Sequence, residues 1–184
     1  MKRELLETLL EGASETDSVE FKGPMAWSKS LIKDVLALAN TVDGGHIIIG
    51  VEDESFARIG LTSEQVATFN SDIMRDQVAP YADPRAVFSV HSLADVAGRT
   101  YIVIAVSPFD EFPVICKRDG HGMCAGDIYF RSRVARPASA RIAHSNDMRE
   151  VIEASIARRA RNLKRIGLLP EVSSQEYDDE LGGL

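Results

Sequence analysis

Leu5, Leu6, Leu9 and Leu10 recur at helical spacing, which predicts an amphipathic helix over the first dozen residues, ending near Gly12. Residues 18–22 alternate instead. Val19 and Phe21 fall on one face and Ser18, Glu20 and Lys22 on the other, so a short strand is expected, broken by Gly23 and Pro24. Ser28 or Ser30 can cap the next helix, whose apolar positions Leu31, Ile32, Val35, Leu36, Leu38 and Ala39 face inward until Asp43, Gly44 and Gly45 stop it. Residues 46–51 then read as a buried strand. A helix is predicted over 62–78, closed by Pro80 and Pro84, with strands at 86–90, 101–106 and 127–131 and a shorter candidate at 114–117. Residues 95–99 contain Gly98 and suit a hairpin turn. A last helix over 145–166 carries Met148, Val151, Ile152, Ser155 and Ile156 on one stripe.

This order of elements predicts an α/β fold of the α+β kind: a mixed, mostly antiparallel sheet with helices packed on it. One domain is expected over residues 1–168, followed by an acidic segment at 169–184 without fixed structure. At 184 residues, 45% of them hydrophobic, the chain can bury one proper core but not two. Its apolar runs are strand-sized, so no membrane partner is expected. The acidic first turns lack the layout of a secretory signal, and two cysteines require no disulfide framework, so the cytoplasm is the expected compartment.

A net charge of −7 argues against nucleic acid until its position is considered. Glu171, Glu176, Asp178, Asp179 and Glu180 crowd the end of the chain with no Lys or Arg among them, which leaves the body close to neutral. Two stretches are basic: Arg131, Arg133, Arg136 and Arg141, with no acid among them, and Arg158, Arg159, Arg161, Lys164 and Arg165 on the last helix. Arg131 and Arg133 lie two apart on a predicted strand and share a face, a geometry suited to tracking a phosphate backbone. The ordinary alternative is an acid elsewhere on the sheet.

Common catalytic patterns are missing. The chain has no phosphate-cradling Gly-x-x-x-x-Gly-Lys-Ser/Thr loop, no Gly-x-Ser-x-Gly elbow and no His-Glu-x-x-His. Gly120, Gly122 and Gly126 miss the dinucleotide spacing by one residue. Cys116, His121 and Cys124 lack a fourth zinc ligand, so a loop with two reduced thiols is the expected reading. Trp27 reads as a core anchor rather than a base-stacking platform.

The densest motif runs from Glu15 to Asp53: Glu20-Phe21-Lys22, then Ala37-Leu38-Ala39-Asn40-Thr41-Val42-Asp43-Gly44-Gly45, then Ile47-Ile48-Ile49-Gly50-Val51-Glu52-Asp53. With Pro113 and Tyr129-Phe130-Arg131 further on, it resembles the Schlafen AlbA-type domain family over about residues 10–155. The match departs from some members by Leu38 between the alanines and by one extra residue before the glycine pair. The resemblance implies a nucleic-acid-binding domain for DNA or RNA, of a kind found in bacterial regulators, defence proteins and animal Schlafens, and paired as a homodimer. It also implies an alternative. In nuclease members two glutamates near the first strand and a later aspartate bind a divalent metal and cut structured RNA. Carried over, these are Glu15, Glu20 and Asp53 as metal ligands for Mg²⁺ or Mn²⁺, with Lys22 as the adjacent catalytic base. Hard oxygen ligands suit such ions. Glu15 can join Glu20 only from a turn, because residues five apart on a strand face opposite ways. Asn40, Thr41, Gly44 and Gly45 admit two readings: a tight helix-to-strand turn, or backbone amides open to a phosphate. Relatives are often labelled ATP-binding. A nucleotide-binding or protein-interaction module therefore stands as a third reading, although no phosphate loop supports it.

Overall fold

The computed structural model describes residues 3–11, 14–53, 55–132 and 138–168. Helix α1 (Arg3–Glu11) leads through a turn into β1 (Val19–Lys22); a 3-10 turn capped by Ser28 opens α2 (Ile32–Ala39), which crosses over to β2 (Gly45–Ile49). Short helices α3 (Ser63–Ala67) and α4 (Ser71–Val78) precede β3 (Ala82–Asp83), and β4 (Phe88–Ala94) and β5 (Thr100–Val106) form the long hairpin. Strand β6 (Ile115–Cys116), the hairpin β7 (Tyr129–Arg131) and β8 (Ser139–Arg141), and helix α5 (Ser145–Arg165) complete the described chain.

The main sheet has the order β1-β2-β5-β4, with β1 parallel to β2 and the other pairs antiparallel. This is the mixed, mostly antiparallel α/β sheet expected from the element order. Its two faces are filled by alternate residues of the same strands. Ile47 and Ile49 point into the larger core with Leu31, Val35, Leu36, Leu38, Ile102 and Ile104, under α2. Ile48 points the other way, with Phe21, Tyr101 and Val103, against Leu6 and Leu10 of α1. Each of Ile47, Ile48 and Ile49 is fully buried, which stabilises the fold by roughly 1.5–3 kcal/mol per side chain.

Asp95 is fully buried and holds the turn of the long hairpin: its carboxylate accepts from the Ala97 and Arg99 amides, the Arg99 guanidinium and the Tyr101 hydroxyl. Burial and the neighbouring Asp95 charge push the Tyr101 hydroxyl up to about 12.

One expectation changes, and two features go beyond the sequence pattern. The helix predicted over 62–78 is two helices, because Asn70 turns its side-chain oxygen onto the Asp72 and Ile73 amides and starts a new helix there. The first piece keeps the Thr62–Gln65 capping box. The stripe on α5 does not face inward as a whole: Val151 is buried, whereas Met148, Ile152 and Ile156 are exposed. Strand β8, for which no pattern stood out, pairs with β7. Trp27 packs against the core beside Phe69 and donates its ring N–H to Gln77 at 2.8 Å. The acidic 169–184 segment lies outside the described residues. No described helix is long and apolar enough to cross a membrane.

The turn between α2 and β2 leaves no room for side chains. A Cβ on Gly45 would meet the Ser18 carbonyl oxygen at 2.3 Å, and one on Gly44, whose φ is +73°, would meet that of Val106 at 2.2 Å. Gly23 has nothing within 4 Å of such an atom. Gly45→Ala should therefore lose about 1–3 kcal/mol in urea unfolding, while Gly23→Ala stays near the parent value; equal midpoints for the two variants would contradict the packing described.

Candidate functional site

Because β1 alternates, Phe21 enters the core under α1 while Glu20 and Lys22 point to the other side, between α2 and the β7–β8 hairpin. Glu20 is only 5% exposed. One carboxylate oxygen accepts from the Lys22 ammonium and the other from the Arg131 guanidinium. Arg131 is fully buried. Its remaining donors go to the carbonyl oxygens of Thr16 (2.9 Å) and Val19 (3.2 Å) and to the Ser139 hydroxyl at 3.4 Å. Asp34, on the buried face of α2, completes the cluster: Lys22 Nζ lies 3.9 Å from it, and Ser139 bonds to its carboxylate. Burial pushes the Asp34 carboxyl up, against the pull of Lys22. Burial would lower the Lys22 ammonium, but the negative charges of Asp34 and Glu20 outweigh it and hold the group above its usual value.

The carboxylates expected to converge on a metal are placed differently. Asp53 is exposed and accepts from the Gly23 amide at 3.1 Å, and Glu15 is half-buried and has interactions of its own. Lys22 pairs with Glu20 and lies 3.9 Å from Asp34, so the cation these two acids share is an ammonium from the chain itself. Among the described residues no three His, Cys, Asp or Glu side chains gather to hold a metal ion. The donor set does not fit a three-carboxylate centre for Mg²⁺ or Mn²⁺, since both Glu20 oxygens are committed to cations.

The expected nucleic-acid contacts also need correction. Arg131 is withdrawn from solvent and cannot track a phosphate backbone. Arg133 and Arg136 belong to the β7–β8 connection and lie outside the described residues. Asn40 is 1% exposed: its amide N–H groups donate to the Val114 and Tyr129 carbonyls, both at 2.9 Å, and its oxygen accepts from the Val114 amide at 2.7 Å. The Thr41 hydroxyl lies 2.8 Å from the Leu38 and Gly44 carbonyl oxygens. Gly44 and Gly45 are buried against backbone. Of the two readings of this motif, the geometry gives the tight turn.

Sequence reasoning missed Asp34. The signal was present: an acid three residues after Leu31 and four before Leu38 shares the buried face of its helix. It also missed the surface around the β6–β7 loop. There His121 and Gly122, both at positive φ, form the tip of a tight hairpin closed by reciprocal Gly120–Met123 bonds of 3.0 and 2.9 Å. Exposed Arg118 lies 5.9 Å from the Tyr81 ring centre and His121 packs on the same ring at 5.7 Å. Lys117 is exposed beside them, and Arg141, 69% exposed, is 4.0 Å from Asp127 at the base of the loop. Asp119 is exposed on the same loop and accepts from the Ala125 amide at 2.8 Å.

The profile of the family described as Schlafen, AlbA_2 matches residues 15–135. Among curated proteins there is no match. Among solved structures, the N-terminal domain of a protein from Nitrosomonas europaea, named as related to the ATP-dependent DNA helicase RecG, is similar at 21% identity and a TM-score of 0.49. The match covers 79% of this chain and 97% of that domain. The DIP2311 protein from Corynebacterium diphtheriae gives 21% identity and a TM-score of 0.48 over 72% of this chain and 25% of its own, so this chain spans about a quarter of that protein's length.

Breaking the buried pair has a measurable cost. Arg131→Met leaves Glu20 without its main partner and should cost about 3–5 kcal/mol of unfolding free energy. The Glu20→Gln, Arg131→Met double variant should lose less than the two single losses combined, and strict additivity would sink the assignment. Lys22 gives the pH dependence. Its folded value is raised, so its contribution is fully present below about pH 10.5 and fades as pH rises through the folded value. The stability advantage of the parent chain over Lys22→Met should thus be flat from neutral pH up to about pH 10.5 and shrink above it.

Proposed function

The chain belongs to the Schlafen AlbA_2 family, and on that premise we propose that it is a nucleic-acid-binding domain that grips the sugar-phosphate backbone through exposed cations around the β6–β7 loop. The observation that carries this reading is the ledge formed by Arg118 and His121 against Tyr81, with Lys117 and Arg141 beside it. The aromatic ring restrains the guanidinium at the surface, so less side-chain entropy is lost when a phosphate arrives. Two acids share the loop: exposed Asp119 accepts from the Ala125 amide at 2.8 Å, and half-buried Asp127 accepts from the Tyr129 hydroxyl at 3.5 Å and lies 4.0 Å from Arg141, so Lys117 and Arg118 are the cations the reading depends on. This mode holds phosphates rather than reading base edges, and it suits binding with little sequence preference.

No observation favours the ribonuclease reading, because Glu20 is taken up by Lys22 and Arg131. No hydrolytic step is therefore assigned to it.

The test is fluorescence anisotropy with a single-stranded DNA and a tRNA across a salt series. Affinity should fall steeply with salt, and Lys117→Glu with Arg118→Glu should weaken binding and reduce the magnitude of the log–log slope by about one per cation removed. Lys29→Glu, at the opposite end of α2 from Asn40 and Val114, should change little. Salt-insensitive retention, or a double variant that binds as the parent does, would remove the reading.

A further inference from the structure

Helix α5 stops abruptly. The Leu168 amide donates to the Leu163 carbonyl at 2.9 Å and the Gly167 amide to the Lys164 carbonyl at 3.0 Å, with Gly167 at a φ of +75°. These two bonds around a left-handed glycine are the Schellman ending, which turns the chain off the helix axis. Charges are sorted on either side of that stop. Before it, Arg161, Lys164 and Arg165 are all exposed in the last two turns. At about 100° per residue they fall within roughly 100° of arc, on the side away from Met148, Ile152 and Ile156. Their neighbours are already engaged. Arg158 donates to the Phe109 and Val42 carbonyls, and Arg159 pairs with Glu111 at 3.3 Å. Like charges three and four apart on a helix repel. Burial and then the Arg161 charge pull the Arg158 guanidinium below its usual value.

After the stop come Glu171, Glu176, Asp178, Asp179 and Glu180, with no Lys or Arg among them. Reach is no constraint: the twelve residues from Leu168 to Glu180 can span up to roughly 40 Å, whereas the three cations occupy about 6 Å of helix axis. A tether this short puts the acids at an effective concentration in the millimolar range. We infer that residues 171–180 dock on the Arg161, Lys164 and Arg165 side of α5 and compete there with the phosphates of a polynucleotide. The contact itself stands apart from the nucleic-acid reading; the competition rests on it. Asn162 bonds to Glu111 at 2.8 Å, six residues before Lys117, so the end of α5 and the β6–β7 ledge lie within about 20 Å of chain and one polynucleotide can reach both. The acidic segment thus confines nucleic acid to the ledge.

Contact and competition are measured separately on the full chain. A water-soluble carbodiimide joins a carboxylate to an amine only where they touch. At low salt it should link Lys164 to an acid of 171–180 within one chain, and about 1 M salt should remove most of that link. In anisotropy with single-stranded DNA, deleting residues 171–184 should raise affinity about tenfold at low salt and increase the magnitude of the log–log salt slope by up to about three. Arg161→Glu with Lys164→Glu in the shortened chain should cancel that gain. No link at Lys164, or a link found only between two chains, overturns the contact. An intramolecular link with unchanged affinity after truncation overturns the competition, as does a gain that survives Arg161→Glu with Lys164→Glu, which net charge alone would explain. If neither the parent nor the shortened chain retains DNA, the nucleic-acid reading fails and the competition with it, while the Lys164 link still decides the contact.

Discussion

Removing an ionised carboxylate and a guanidinium from water costs several kcal/mol for each, and only a full set of hydrogen bonds recovers it. Glu20 and Arg131 meet that condition. The Arg131 guanidinium reaches a carboxylate, a hydroxyl and two backbone carbonyls, and the second Glu20 oxygen takes the Lys22 ammonium. The rest of the described architecture leans on this arrangement. Strand β1 is the edge of the main sheet, and its approach is fastened because Thr16 and Val19 surrender their carbonyls to Arg131. The β7–β8 hairpin has three residues per strand and, among the described residues, joins no larger sheet. It stays in place because Arg131 reaches across to β1 and Asn40 reaches from α2 to Tyr129.

Most of the fold was legible in the sequence because periodicity is a direct record of burial. The alternation in β1, the amphipathic α2 and the apolar run in β2 each had one good solution. Asn70 was harder to read: its capping bonds are local, yet the surrounding apolar residues continue the helical spacing, so the pattern alone merges α3 and α4. The α5 stripe carries the opposite ambiguity. Periodicity reports that a face is apolar, and the inward face was taken instead by Asp147, Val151, Ala154 and Arg158, whose polar members find partners only in three dimensions.

The candidate site was legible as a set of residues but not as a chemistry. Glu20, Lys22 and Arg131 do come together, although spacing could not say that the acid would be neutralised by the chain's own cations. Asn40, Thr41, Gly44 and Gly45 are part of the signature that carries the family resemblance, and in this chain they hold backbone rather than ligand. Signature and surface are therefore separate here. The loop with Lys117, Arg118 and His121 contributes no motif, since cations on a hairpin tip follow no period and acquire meaning only from the ring of Tyr81 beneath them.

The contacts that close the domain are also far apart along the chain. Arg131 reaches back 111 residues to Glu20, and Asn40 waits for partners 74 and 89 residues ahead of it. Loop-closure entropy delays such contacts relative to the local helices and hairpins. On a ribosome, β1, α2 and β2 emerge with Glu20 and Asn40 still lacking those partners, so both groups stay hydrated until the C-terminal third arrives. The Glu20 charge on β1 keeps that edge of the unfinished sheet wet during synthesis, a built-in delay against premature pairing with neighbouring chains.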